Sequence, residues 1–271
     1  MTANIQPSTG NTRMILLSGS AWNRGLNNVL QAELHHWFGT RMWLWQILIW
    51  AAAINFIYLM VALTGDDIPV AEGLMLFNIF LGLSGPIGVS IIMQSSVVGE
   101  KRSGTAAWVL SKPVSRTAFI VSKLIANSLG VAITMVLAQG LIAYLITGLI
   151  LNEWLAILPF LAGLGVQFVN ILFYLTLTLM LGTIFEHGAP VIGIPLAFLF
   201  FQQYLIGFYP PLANLLPWTL AVPPNNSQAP SVAMAVMSSV PPASYLPLIL
   251  TLVFSVVFVV IGLLVFRRKE L

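Results

Sequence analysis

The chain contains no cysteine, which excludes disulfides, thiolate metal sites and iron–sulfur clusters and leaves its redox compartment open. Charge is scarce as well: Asp, Glu, Lys and Arg make up 7% of the 271 residues, whereas 58% are hydrophobic. A soluble domain of this length needs far more polar surface to cover its core, so the composition implies a polytopic membrane protein. Histidine is limited to His35, His36 and His187. The first two are adjacent, about 100° apart on a helix, and do not grip one ion from one face, so no metal site is expected. No leader peptide is expected either, because the early apolar run Met14-Ile15-Leu16-Leu17 is too short for an h-region.

Ionisable groups are missing where a carrier would use them. No charged side chain occurs within residues 42–63, 74–98, 155–185, 190–208 or 245–266. Proton- and sodium-driven carriers relay through an intramembrane ionisable group, so this absence argues against a secondary transporter and against an intramembrane hydrolase. A phosphate-binding loop is also excluded. Gly99 to Thr105 reads GEKRSGT, but Thr105 directly follows Gly104, where the nucleotide loop requires Lys and then Ser or Thr on a strand-to-helix turn.

The apolar runs that fill the chain give an all-α protein with six spans. These are expected at about Met42–Leu63, Leu74–Val98, Ala118–Ile150, a fourth ending near Phe185, a fifth starting at Pro190 and ending near Phe208, and Tyr245–Phe266. Pro86 predicts a kink in the second. All eleven Lys and Arg fall at 13, 24 and 41, from 101 to 123, or from 267 to 269. The positive-inside rule makes all three regions cytoplasmic, which requires an even number of spans between them. Two segments and then four satisfy it. The net charge of +3 is therefore a topology signal, and no nucleic-acid partner is expected. Both termini are expected in the cytoplasm, the acidic loop with Asp66, Asp67 and Glu72 outside, and the Pro-rich stretch 209–245 also outside, with room for a short helix around Ser231 to Ser239. The triplet Asn225-Asn226-Ser227 in that stretch fits a glycosylation pattern of little weight.

Residues 1–25 are rich in Ser, Thr, Asn and Gly and read as a disordered cytoplasmic tail, with 26–271 as one six-span domain. Leu26, Val29, Leu30, Leu34, Trp37 and Phe38 then share one helical face, as in an amphipathic helix at the membrane interface; a cytosolic helix packed on a partner is the alternative. Glu33 falls inside the apolar stripe and needs a cation, an amide or water. Arg102 and Arg116 are the expected partners, because a guanidinium binds a carboxylate through two hydrogen bonds.

The polar island from Gly99 to Lys123 interrupts the apolar chain and holds Lys101, Arg102, Lys112, Arg116 and Lys123. Ser103 is expected to cap a short helix through Leu110, Pro113 to end it, and Ser115 to cap the third span, where Lys123 snorkels to the interface. In the short helix Ala106 and Ala107 precede Trp108, giving one bulky anchor on a cationic rim. A loop lying on anionic headgroups has the same composition.

Glu100-Lys101-Arg102-Ser103-Gly104-Thr105, Leu110 and then Pro113-Val114-Ser115-Arg116 with a downstream Lys123 resemble the cytoplasmic loop of type-2 ABC exporter permeases. Ala32-Glu33-Leu34 resembles the N-terminal interface helix of that family. The sequence departs from it at Ala106, Ala107 and Trp108, where members often carry Leu or charged residues. The resemblance implies a six-span permease in the cell membrane, with a coupling loop over 99–117. It implies two permease copies, as a homodimer or a closely related heterodimer, with two copies of a separate ABC-type ATPase that binds ATP and Mg. The permease itself would supply no catalytic residue and hold no cofactor. Glu100, Arg102, Gly104, Thr105, Trp108, Pro113 and Arg116 would contact the ATPase. Spans two and five would line the route, nominating Phe77, Phe80, Phe198, Phe201, Gln202 and Tyr204 and an aromatic lining suited to lipophilic or amphiphilic cargo. The alternative is a membrane-anchored assembly or sensory subunit that binds the ATPase and transports nothing, and a further one is a standalone channel.

Overall fold

The computed structural model describes residues 22–64, 69–224 and 229–268. Most of the expected tail, Asp66 and Asp67, the Asn225-Asn226-Ser227 triplet and Lys269 lie outside the described residues. Within them the fold is all-helical, and six helices are long and apolar enough to cross a membrane. In chain order they follow α1 (Leu26–Phe38). The first three spans, with the short helix between the second and third, are α2 (Met42–Thr64), α3 (Val70–Arg102), α4 (Thr105–Leu110) and α5 (Arg116–Leu149). Next come α6 (Ile157–Ile184), α7 (Gly188–Phe208), the short α8 (Trp218–Ala221) and α9 (Val232–Met237), and finally α10 (Leu246–Arg268).

Hydropathy alone does not set which span is central. α6 is the most enclosed, with 72% of its apolar window buried, whereas α10, the most apolar span, has only 17% buried. An interior helix in a membrane gains nothing from being more apolar than lipid; it needs small and hydrogen-bonding side chains that let neighbours approach. α6 supplies them. Its Gln167 Nε2 donates to Asn78 Oδ1 of α3 at 2.6 Å, and Ile171 fills the space left by Gly85. The α2–α5 contact is similar: Asn55 Nδ2 donates to Gln139 Oε1 at 2.9 Å, while Gln139 Nε2 donates to the carbonyls of Thr134 and Ile47. Asn55 ends a wide π turn, Ala51–Asn55 in α2, and Gln139 follows another, Ala132–Leu137 in α5. Such turns release backbone carbonyls from the α ladder, and here Gln139 satisfies that of Thr134.

α3 continues through Pro86 without a break, and Ser90 Oγ donates to the Pro86 carbonyl at 2.8 Å. The Pro-rich stretch folds back on the bundle. Ser231 caps α9 by accepting from Met234 N at 3.3 Å, and Ala233, Ala235 and Met237 are buried against α6, where Gly163 leaves room for Met237.

Two expectations need correction. Residues 22–25 are not part of a disordered tail but form a turn, tied to the chain after α4 by Ser115 N donating to Arg24 O at 3.0 Å. The second span does not stop at Val98. It runs on to Arg102 through a π turn at Ser95–Gly99, because Lys101 finds partners beside the bundle. The apolar face of α1 lies against α5: Trp37 is buried, its Nε1 donates to Asn127 Oδ1 at 3.1 Å, and Gly130 gives its ring space.

Candidate functional site

The basic residues that flank the long helices gather at one end of the bundle. Lys101 Nζ, at the end of α3, donates to the carbonyls of Gly182 and Phe185 at 2.8 and 2.9 Å, so it closes the C-terminus of α6. Arg116 Nη1, at the start of α5, approaches the carbonyls of Phe266 and Arg267 at 3.5 and 3.4 Å, at the C-terminus of α10. Cations in these positions satisfy carbonyls that have no intrahelical donor and oppose the negative end of the helix dipole. The two residues thus fasten both sides of α4 to two other spans.

α4 itself is aimed by Gly104. Its φ of 77° lies in the left-handed region, which glycine enters without steric cost, and the chain turns there between α3 and α4. Ser103, expected as the cap, is not the N-cap; its hydroxyl shares a hydrogen bond with Thr105 Oγ1 at 2.9 Å and donates to Glu100 O at 3.2 Å. Glycine displaced it because the sharp turn needs the left-handed conformation more than it needs a side-chain acceptor. Ser115 does cap α5, accepting from Ala118 N at 3.0 Å. Within α4, Ala106 is buried and Val109 and Leu110 are half-buried, while Trp108 is 64% exposed. The Lys112 ammonium lies over the Trp108 face, 5.1 Å from its ring centre.

Behind α4 sits an ion cluster. Lys123 has no solvent exposure, and its Nζ donates to Glu33 Oε1 and Glu100 Oε1, each at 2.6 Å, with Ser96 Oγ at 3.4 Å. Two expectations fail here. Lys123 does not snorkel to the surface, and Glu33 pairs with neither Arg102 nor Arg116. The reason is the docking of α1: its apolar stripe lies on the face of α5 that carries Lys123, so Glu33 inside that stripe meets the ammonium. Arg102 remains exposed, and Arg116 turns to α10. A buried ammonium needs countercharge, and α1 and α3 each bring one carboxylate.

The residues nominated on α3, α4 and the following loop divide accordingly. Arg102, Gly104, Thr105, Trp108 and Pro113 are exposed at the basic end, whereas Glu100 and Arg116 are engaged within the chain. The nominated route residues do not line one surface. Phe77 and Gln202 have no exposure, Phe80 and Phe198 are half-buried, and Phe201 and Tyr204 are 63% and 59% exposed on α7. Gln202 clamps the interior, with Nε2 donating to Tyr174 OH at 2.5 Å and Oε1 accepting from Trp218 N at 3.1 Å. Lys101 and Asn127 were missed. A Lys inside an apolar run is a legible signal for Lys123, but nothing local marks Lys101, whose partners lie on α6.

Between α1, α4 and the ends of α2, α3 and α5 lies a cleft of about 680 Å³, with Glu33, Glu100, Trp37, Trp108, Met42 and Lys112 among its walls. Residues 40–271 match the family described as a protein of unknown function (DUF2705). No curated protein matches the chain.

Proposed function

The chain belongs to the DUF2705 family, and from the geometry of its basic end we propose that it is the membrane-spanning permease subunit of an ATP-driven exporter. In this reading α4 is a coupling helix that docks on a separate ATPase, and the bundle, paired with a second copy, carries the substrate path. The observation that supports it most is Trp108: a large aromatic left 64% exposed on a short helix whose base is tied to α6 by Lys101 and to α10 by Arg116. An exposed aromatic on a cationic rim is the composition of an interface anchor. The fastening means that a push on α4 reaches two spans and not only the loop. The chain supplies differential contact with two states of the ATPase, and ATP hydrolysis takes place in the partner.

The test is affinity capture of a P-loop ATPase from the native membrane by the full chain. Truncating a buried anchor costs on the order of 2–4 kcal/mol, so Trp108→Ala is expected to lose most of the captured ATPase at normal membrane levels. Lys112→Ala is expected to lose little at physiological salt, where exposed charges are screened. Full capture by Trp108→Ala removes the anchor role, and no ATPase captured by the wild type removes the reading.

A further inference from the structure

The cleft beneath α4 has a charge pattern of its own. Glu33 and Glu100 each give one oxygen to Lys123. Their other oxygens accept no hydrogen bond among the described residues, although both side chains are largely enclosed, at 15% and 28% exposure. Two carboxylates face one ammonium, so the floor carries an excess of formal negative charge, and the two remaining carboxylate oxygens open on the cleft, which His36 also lines. Lys112 lines the same cleft and is exposed, its ammonium over the Trp108 ring. The pattern is negative inside and positive at an exposed wall.

Its position is equally specific. Met42 and Gln46, in the first two turns of the first span, form one wall, and Ser95 and Ser96 near the end of the second form another. These are the turns that meet the headgroup layer when the bundle sits in a bilayer, and Met42 is 54% exposed there. The cleft is therefore reached from lipid, and about 680 Å³ lies within the range of small-ligand sites.

We propose that this cleft binds a phospholipid whose headgroup ends in a primary ammonium, seated on the free oxygens of Glu33 and Glu100. The phosphate then lies toward Lys112, and the acyl chains leave past Met42 and Gln46 into the bilayer. A primary ammonium brings three N–H donors to carboxylate oxygens open on the cleft, and such charge-assisted bonds are short and strong. A trimethylammonium brings none. It would depend on an aromatic face, but that of Trp108 is occupied by Lys112 and Trp37 is buried against α5. An anionic headgroup without an ammonium would face the carboxylates unpaired. The inference goes beyond the exporter reading and does not require the ATPase.

The experiment uses the full chain purified in detergent and native mass spectrometry. The probes are phosphatidylethanolamine, phosphatidylcholine and phosphatidylglycerol with identical acyl chains, and soluble phosphoethanolamine. Phosphatidylethanolamine is expected to bind roughly tenfold more tightly than the other two lipids, as the gain of one charged hydrogen bond would give. Glu100→Gln is expected to bring it to the phosphatidylcholine level while leaving phosphatidylcholine unchanged. If that variant aggregates, a diazirine-bearing phosphatidylethanolamine on the wild type decides, with crosslinks expected in residues 26–46 or 92–114. Equal binding of the three lipids overturns the proposal, as do crosslinks confined elsewhere. Competition by phosphoethanolamine at the lipid's own concentration overturns the assignment to a lipid.

Discussion

Lys123 has no solvent exposure and two carboxylates at 2.6 Å, so its substitutions separate in a definite order. Removing the cation leaves Glu33 and Glu100 facing each other without countercharge, and breaking a buried pair this way costs about 3–5 kcal/mol. Glu33→Gln costs less, because Glu100 still balances the ammonium and the amide oxygen still accepts. Thermal unfolding of the purified chain is therefore expected to rank Lys123→Met well below Glu33→Gln, with Glu33→Gln nearer the wild type. Equal melting of Lys123→Met and wild type would contradict the cluster. Exchange gives a second check: Glu33→Lys with Lys123→Glu keeps two carboxylates and one cation and should melt above either single variant. Glu33→Arg with Arg116→Glu should not recover. The anomaly at Glu33 was legible in the sequence, since a carboxylate in an apolar stripe has few explanations. Its partner was not legible. Arg102, Arg116 and Lys123 differ little as sequence, and only the way α1 lies on α5 selects among them.

At the scale of elements, the spans were readable to within a few residues because apolar runs and flanking charges fix where a helix enters and leaves a membrane. The boundary that failed is informative. Gly99-Glu100-Lys101-Arg102 looks like loop, yet α3 continues through it, because Lys101 meets the carbonyls at the end of α6. Long-range capping of this kind leaves no local pattern. In the exporter reading it also gives the short α4 a mechanical role that two variants probe. Gly104→Val forces a β-branched residue to φ 77° at a cost on the order of 1–2 kcal/mol, re-aiming α4. Lys101→Ala removes charge-assisted bonds to α6 contributing about 1.5–3 kcal/mol. In the exporter reading both variants should still capture the ATPase but lose stimulation of its ATP hydrolysis by substrate. Wild-type stimulation in both would mean that the aim and fastening of α4 do not matter.

For the molecule as a whole, the sequence carried the number of spans but not their arrangement. All six are apolar, and the least buried, α10, is the most apolar because it faces lipid, whereas α6 gains its central place from Gln167 and close glycine contacts. The division of the nominated route residues between core and outer face follows from the same packing. Orientation remains a matter of charge: a reporter fused after Leu271 is expected on the cytoplasmic side and one inserted at Asn226 outside. A cytoplasmic reporter at Asn226 would overturn the six-span topology. The central claim, that α4 touches an ATPase, has its most direct test in the missing cysteines. Because the chain has none, Thr105→Cys places a single thiol on the exposed start of α4. With a thiol-anchored photocrosslinker in native membranes, the account predicts an adduct with a P-loop ATPase from Thr105→Cys and none from Asn226→Cys. An adduct with lipid alone, or the same ATPase adduct from both positions, would contradict it.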